Sequence, residues 1–242
     1  MKKRNKIKLI LLQYRDNKKV RQEEIQSFLK FCDIASNQIK VLNTFDTPNF
    51  KSNAFKGYDG VLIGGASETS VFSEDLCIKC GKELIVRAIE DKIPTFASCF
   101  GFQLAISAFN GEIITQEIGF EMGSVLISLE EKAKDDPLVY DLPDPFYGIS
   151  VHKQKAIKAP KNFISLAKTD QCLHIIKSVG SPFWGFQFHP EVDANTLKQR
   201  LTLYKRSYTK NDEELRAVLS NIHDTFYAND LCKKFIDRIL LT

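Results

Sequence analysis

Apolar and polar residues repeat with two different periods along the first part of the chain. Short apolar runs with the length of buried strands occur at residues 8–12, 39–42, 60–63 and 95–98. Helical spacing of apolar residues separates these runs at residues 20–34 and 74–90, the latter stepping through Leu76, Cys80, Leu84 and Ala88. Strands that alternate with helices predict an α/β fold with an open, mostly parallel central sheet flanked by helices.

The pattern changes in the second part of the chain. Between residues 119 and 188, short segments with two-residue alternation are separated by Pro and Asp turns, and they predict strands at residues 124–129, 163–167 and 172–176. We expect these strands to form a small antiparallel flank of the sheet. From residue 195 onward no strand pattern remains, and helical spacing predicts two or three terminal helices.

The last of these helices carries an apolar stripe formed by Leu231, Phe235, Ile239 and Leu240. Such a stripe packs on the core of its own domain or meets a partner, and the first use is the expected one. The domain organisation predicted in this way is a domain at residues 1–194 and a C-terminal helical extension at residues 195–242, packed on the same domain.

Composition restricts the class of protein. The 242 residues are 43% hydrophobic and 26% charged, which suits one well-buried soluble domain. The net charge is only +4, and the one basic run, at residues 2–6, is typical of a solvated terminus, so we predict no nucleic-acid partner. The apolar run at residues 7–12 is too short for a signal peptide, and no stretch approaches a membrane span.

Cysteine usage points to a reducing compartment. Six cysteines occur without the spacing of a disulfide framework, so the cytoplasm is the expected location. Cys77 and Cys80 form a C-x-x-C pair, but no second Cys/His pair lies at ligand spacing, so we expect ordinary buried cysteines and no metal there.

The segment 93–105 has the layout of a nucleophile elbow, in which an apolar strand runs into Cys99 and then directly into an apolar helix. A sharp strand-to-helix turn needs small residues two positions before and after its apex, and Ala97 and Gly101 meet that need. The apex side chain would project at a helix N-terminus, where the positive dipole end favours a thiolate. An ordinary buried cysteine is the competing interpretation of this segment taken alone.

A second segment, residues 183–191, is an aromatic strand that ends in His189-Pro190-Glu191. A cysteine hydrolase needs a base near the thiol and a third group that orients the imidazole, and His189 and Glu191 can supply both. Parallel-sheet enzymes place their chemistry at the carboxyl ends of strands, where this histidine falls.

Together, in this order, these two segments resemble the signatures of the class I glutamine amidotransferases, G-x-C-x-G-x-Q and Q-F-H-P-E. The middle region, including residues 117–120 and 136–138, resembles a stand-alone subgroup similar to the amidotransferase domain of GMP synthase and to the γ-glutamyl peptidases. The resemblance covers about residues 7–194. It implies catalysis by Cys99, His189 and Glu191, with no metal or organic cofactor.

The resemblance also implies residues that bind the substrate. Residues 62–67 resemble the family's Gly-Gly loop, so Gly65 and Phe100 are candidate oxyanion-hole N–H donors and Gly64 is a candidate substrate-binding residue. By the same matching, the glutamine substrate would be held by Gln103, Ser150, Val151 and His152. The acidic residue common in that last loop of the family is absent here, since Lys153 and Gln154 follow His152.

Three functions fit these residues. The first is a glutaminase that forms a γ-glutamyl thioester on Cys99 and releases ammonia, either serving a separate synthetase or acting as a homo-oligomer. The second is a peptidase or hydrolase of γ-glutamyl conjugates, and the third is a non-catalytic binding relative. No Walker-type loop is visible in the sequence for an ATP-dependent acceptor site.

Overall fold

The structure, a computed structural model, describes residues 2–204, 209 and 211–241. The strands are β1 (Leu9–Tyr14), β2 (Ile39–Asn43), β3 (Gly60–Ala66), β4 (Thr95–Ser98), β5 (Ile114–Thr115), β6 (Glu121–Leu129), β7 (Phe146–His152), β8 (Gln154–Lys155), β9 (Phe163–Lys168), β10 (Leu173–Ser178) and β11 (Phe183–Phe186). The helices are α1 (Lys18–Cys32), α2 (Leu76–Glu90), α3 (Phe100–Ala108), α4 (Ala194–Leu203), α5 (Asp212–Ser220) and α6 (Phe226–Phe235), and a π-helical turn, Ile236–Leu240, continues α6.

Nine strands form one sheet in the order β2-β1-β3-β4-β11-β10-β9-β6-β7, and β5 pairs with β8 apart from it. The strands β2, β1, β3, β4 and β11 are parallel to their neighbours within this set. Each remaining contact, from β11 through β10, β9 and β6 to β7, is antiparallel. The predicted α/β fold with a parallel centre and an antiparallel flank is confirmed.

Helices cover both faces of the parallel strands, which explains their near-continuous apolar sequences. Successive residues of β1 point to opposite faces, so Ile10 and Leu12 pack with α2 and α3, whereas Leu9 and Leu11 pack with α1 and α6. The strand ends that carry chemistry are therefore held between two apolar layers.

The C-terminal helix α6 packs directly under the sheet. Phe235 is fully buried, with its ring centroid 5.4 Å from that of Phe96 in β4 and 6.4 Å from that of Trp184 in β11. Leu231 is also buried, and Ile239 and Leu240 pack against the same cluster. The apolar stripe of the last helix thus covers the core of this chain, while a domain boundary at residue 194 stays a prediction.

None of the helices in the described part of the chain is both long and apolar enough to cross a membrane.

Candidate active site

Cys99 occupies the turn between β4 and α3 with a left-handed backbone, at φ 45° and ψ −92°. The backbone of any residue other than glycine is strained in this region, and such strain persists only where the surrounding structure enforces it. A Cβ at Gly101 would lie 2.8 Å from Cγ2 of Ile63 and 3.1 Å from Cβ of Ala97. The positions before and after the apex therefore meet, as a nucleophile elbow requires.

The end of β11 brings His189 and Glu191 to the same edge of the sheet. Strands β4 and β11 are parallel neighbours, and the Cys99 N–H donates to the Phe186 carbonyl at 2.6 Å. Nδ1 of His189 lies 2.7 Å from Oε1 of Glu191, a carboxylate with no exposed surface. The backbone N–H of His189 donates to the Ile149 carbonyl at 2.7 Å, which fixes the turn.

The charges of these side chains depend on one another. Burial lowers the pKa of His189, but the charges of Cys99 and Glu191 and hydrogen bonds to both outweigh it and raise the pKa to about 9. Burial raises the pKa of Glu191, yet its pairing with His189 holds that pKa at about 2. Near neutral pH the pair is an imidazolium and a carboxylate, which is the charge state that stabilises a neighbouring thiolate.

This pairing also has a pH window for stability. The His189 pKa is raised above its usual 6.5. The contribution of its imidazolium to the stability of the folded state is therefore complete below about pH 6.5 and is lost as the pH rises through about 9. The Glu191 pKa is depressed below its usual 4.5, so its stabilisation is complete above that pH and is lost as the pH falls through about 2.

Gly65 and Phe100, the predicted oxyanion donors, border Cys99 and His189. A Cβ at Gly65 would lie 2.6 Å from both Nη2 of Arg15 and Cε1 of His189, so a larger residue would displace the imidazole. Phe100 is the first residue of α3, and the first N–H groups of a helix have no partner within it. Both residues therefore lie beside the triad, and their role as oxyanion donors stays a prediction.

A cleft of about 210 Å³ opens beside Cys99. Among its lining residues are Phe100, Gln103, Val151 and His152, all predicted from the sequence to contact substrate or its oxyanion. Two other predicted substrate contacts, Ser150 and Gly64, do not line this cleft. Ser150 has no exposed surface, and a Cβ at Gly64 would lie 2.7 Å from the Glu24 carboxylate.

The side chain of Gln103 already has partners within the protein. Its Nε2 donates to the Gln154 carbonyl at 2.6 Å, and the Gln154 side chain donates to Oγ of Ser70 at 2.6 Å. Gln103 therefore ties α3 to the segment after β7 that lines the cleft.

Gln187 was not predicted as a site residue. Its side chain is fully buried, and its Nε2 lies 3.9 Å from Sγ of Cys99. A sequence signal was present, since this is a polar residue between two aromatic ones, two positions before His189.

Arg15 was also missed. It follows β1, pairs with the fully buried Glu24 at 2.9 Å and donates to Oγ of Ser67 at 2.6 Å. Its guanidinium and the imidazole of His189 both pack against Gly65. A charged residue directly after a buried strand was the available signal.

Asn229 in α6 holds the segment that carries Glu191 in place. Its Nδ2 donates to the carbonyls of Pro190 at 2.8 Å and Val192 at 2.9 Å, the residues on either side of Glu191. No sequence motif connects Asn229 to a segment nearly forty residues away, so sequence reasoning had no means of finding it.

The sequence and the fold also resemble those of known proteins. A family model described as "Glutamine amidotransferase class-I" matches residues 26–205. The chain is 32% identical over 133 residues to the glutamine-hydrolyzing GMP synthase of Borrelia garinii subsp. bavariensis, a match that covers 55% of this chain and 24% of that protein. It is 28% identical over 170 residues to a protein of Methanocaldococcus jannaschii that is named as a subunit of the glutamine-hydrolyzing GMP synthase, covering 69% of this chain and 81% of that one.

A solved glutamine amidotransferase from Thermotoga maritima has the same fold, with a TM-score of 0.77, 16% sequence identity and coverage of 98% of this chain and 99% of that one. At this identity the likeness shows the fold alone. The matched segment spans about a quarter of the Borrelia protein, which is therefore much longer than the region shared with this chain.

Proposed function

This chain belongs to the class I glutamine amidotransferase family, and on that premise we propose that it hydrolyses the side-chain amide of glutamine through a γ-glutamyl thioester on Cys99. The observation that carries the proposal is the placement of His189, hydrogen-bonded to the buried Glu191 at 2.7 Å and electrostatically coupled to the cysteine at the elbow.

In the first step the Cys99 thiolate attacks the carboxamide carbon. The N–H groups of Gly65 and Phe100 stabilise the charge that develops on the oxygen, and the His189 imidazolium gives its proton to the departing ammonia. The products of this step are ammonia and a γ-glutamyl thioester. A His189 pKa of about 9 keeps that proton available near neutral pH.

In the second step water hydrolyses the thioester to glutamate. Once Cys99 carries the acyl group, its sulfur no longer has the negative charge that raises the pKa of His189. The ring, which gave its proton to the ammonia in the first step, therefore stays neutral and acts as the base that activates water, while Glu191 keeps the imidazole oriented. The same histidine thus serves as acid first and as base afterwards.

The fate of the ammonia requires an acceptor. The relative from Methanocaldococcus jannaschii is named as a subunit of a GMP synthase. By analogy we propose that a separate synthetase subunit receives the ammonia from this chain, in the cytoplasm. Hydrolysis of γ-glutamyl conjugates would use the same three side chains, so the choice between the two depends on the substrate.

The test is to incubate the full chain with glutamine and to measure ammonia and glutamate, with Cys99→Ala as the blank. Cys80→Ala is the matched control, since Cys80 is a buried cysteine on α2 in the core. We expect release that is lost in Cys99→Ala and retained in Cys80→Ala. Release from a γ-glutamyl dipeptide but not from glutamine would replace the proposal with the conjugate hydrolase, and release that persists in Cys99→Ala would refute both.

A further inference from the structure

The antiparallel half of the sheet encloses a second group of reactive side chains, none of which takes part in the proposed bond-making steps, although one of them, His152, is also a predicted substrate contact. Glu121 begins β6, His152 ends β7, Cys172 immediately precedes β10 and His174 lies within β10. Their exposed fractions are 7%, 4%, 4% and 0% in that order. One potential ligand atom from each residue lies within 4.8 Å of all the others.

Four of the distances between these ligand atoms are close to those around a small cation. Oε2 of Glu121 lies 3.0 Å from Nε2 of His152, 2.9 Å from Nε2 of His174 and 3.4 Å from Sγ of Cys172. The Cys172 sulfur lies 3.6 Å from Nε2 of His174. A tetrahedron with the metal–ligand bonds typical of zinc has edges of about 3.3 to 3.7 Å. Shifts of a few tenths of an ångström would open the two shorter contacts to that size.

Hydrogen bonding alone does not satisfy this cluster. Nε2 of His152 is buried and close to the Glu121 carboxylate, yet it makes no hydrogen bond of acceptable geometry. Buried polar atoms without a partner are rare because each carries an uncompensated desolvation cost. A cation between the four side chains would engage the lone pair of this nitrogen together with that of His174.

A neighbouring residue orients the carboxylate toward the cluster. Oγ1 of Thr169 donates to Oε1 of Glu121 at 2.7 Å, which leaves Oε2 facing the two imidazoles and the thiol. Hydrogen bonds of this kind commonly fix the ligands of a metal from outside the first coordination sphere.

We propose that Glu121, His152, Cys172 and His174 bind a zinc ion in a tetrahedral site. Imidazole and thiolate ligands together favour zinc over magnesium or calcium, which prefer oxygen ligands. Four protein ligands leave no open position for substrate, so the ion is structural. Only Cys172 and His174 lie close together in sequence, and Glu121 and His152 come from distant segments, which is why the sequence predicted no metal.

The site also has a consequence for the cleft. His152 lies between Val151 and Lys153, and all three residues line the cleft beside Cys99. The ion would join the end of β7 to β6 and β10, and so would hold that wall of the cleft in place.

The experiment uses the full chain with Cys99→Ala, because a zinc ion could otherwise bind at the Cys99 thiolate. The protein is dialysed against a chelator and titrated calorimetrically with zinc, and then with cobalt, whose absorption spectrum reports thiolate ligation and tetrahedral geometry. We expect one equivalent of metal and a thiolate-to-cobalt charge-transfer band. Cys172→Ser and His174→Gln should each weaken binding by about 100-fold or more, the upper end of the loss seen for outer-sphere partners.

Two matched controls carry the same kinds of substitution elsewhere in the chain. Cys80→Ser and His223→Gln, in the Cys99→Ala background, should bind zinc as tightly as their parent.

Failure to bind one equivalent, a cobalt spectrum without thiolate ligation, or affinity unchanged by Cys172→Ser would each overturn the proposal. Where a ligand variant does not fold, a thiolate-to-cobalt band that disappears in Cys80→Ser would place the metal at Cys77 and Cys80 and would also overturn the proposal. Glutamine hydrolysis is measured with Cys99 intact, so failure of one proposal is distinguishable from failure of the other.

Discussion

The turn between β4 and α3 and the C-terminal helix α6 both support the candidate triad, but they act over different distances along the chain. The turn works locally, through the left-handed backbone of Cys99 and the contact of Ala97 with Gly101. Helix α6 acts from far away in sequence, because Asn229 donates to the carbonyls on either side of Glu191. The nucleophile is thus positioned by its neighbours in sequence, and the carboxylate by the tertiary fold.

The same helix also stabilises the whole domain. Phe235 fills the layer under Phe96 and Trp184, the strand residues that lead toward Cys99 and His189. Changes at the triad should therefore remove activity and spare the fold, whereas changes on the buried face of α6 should act first on stability.

The largest effect is expected from Glu191→Gln. The amide keeps the size of the side chain but removes the charge that orients and stabilises the His189 imidazolium, so kcat should fall by about 10³- to 10⁴-fold. The measurement is ammonia release from glutamine at saturation, together with the circular dichroism spectrum, which should be unchanged.

Asp193→Asn is the matched control for this substitution. It also removes a carboxylate, two residues further on, where Asp193 caps α4 by accepting from the Thr196 N–H at 2.8 Å. Asparagine caps helices about as well as aspartate, so kcat should stay within about twofold of the parent. Equal losses in both variants would show that charge near α4, and not orientation of the imidazole, controls the rate.

On helix α6, Phe235→Ala should lower the free energy of unfolding by about 3 to 5 kcal/mol, because it leaves a cavity under the sheet. Urea unfolding followed by circular dichroism gives the value. Phe226→Ala is the control on the same helix, since the Phe226 side chain is 73% exposed and its removal should change stability by no more than about 0.5 kcal/mol. Similar values for the two variants would contradict the packing of α6 on this core.

The contrast between local and distant support also explains what the sequence could predict. The elbow was predictable because its demands for small residues fall within five positions, from Ala97 to Gly101. Most of the strands and helices were predictable from periodicity, and the family resemblance then indicated the fold into which they assemble. Asn229 was not predictable as a site residue, because it reaches the triad only after the chain has folded. Arg15 left one signal, a charge directly after a buried strand.

The antiparallel half shows the same limit in another form. Three of its strands, β6, β9 and β10, were predicted from alternation, but β7 was not. The convergence of Glu121, His152 and His174 depends on the order and register of β6, β7 and β10. In that register Glu121 is directly opposite His152, a pairing that two strands separated by a long connection do not reveal in sequence.

The smallest expected effect concerns the pH dependence of the proposed reaction. In the free protein, the charges of Cys99 and Glu191 hold the His189 pKa at about 9, so its proton remains until the pH rises past that value. Because kcat/KM reports the ionisations of the free enzyme, it should fall by about tenfold per pH unit above about 9. In Glu191→Gln the fall should begin at a lower pH, since one of the two charges that raise this pKa is gone. Circular dichroism at each pH separates this loss from unfolding, and a profile that keeps rising above pH 9 would mean that the neutral imidazole, not the imidazolium, is the form that reacts with glutamine.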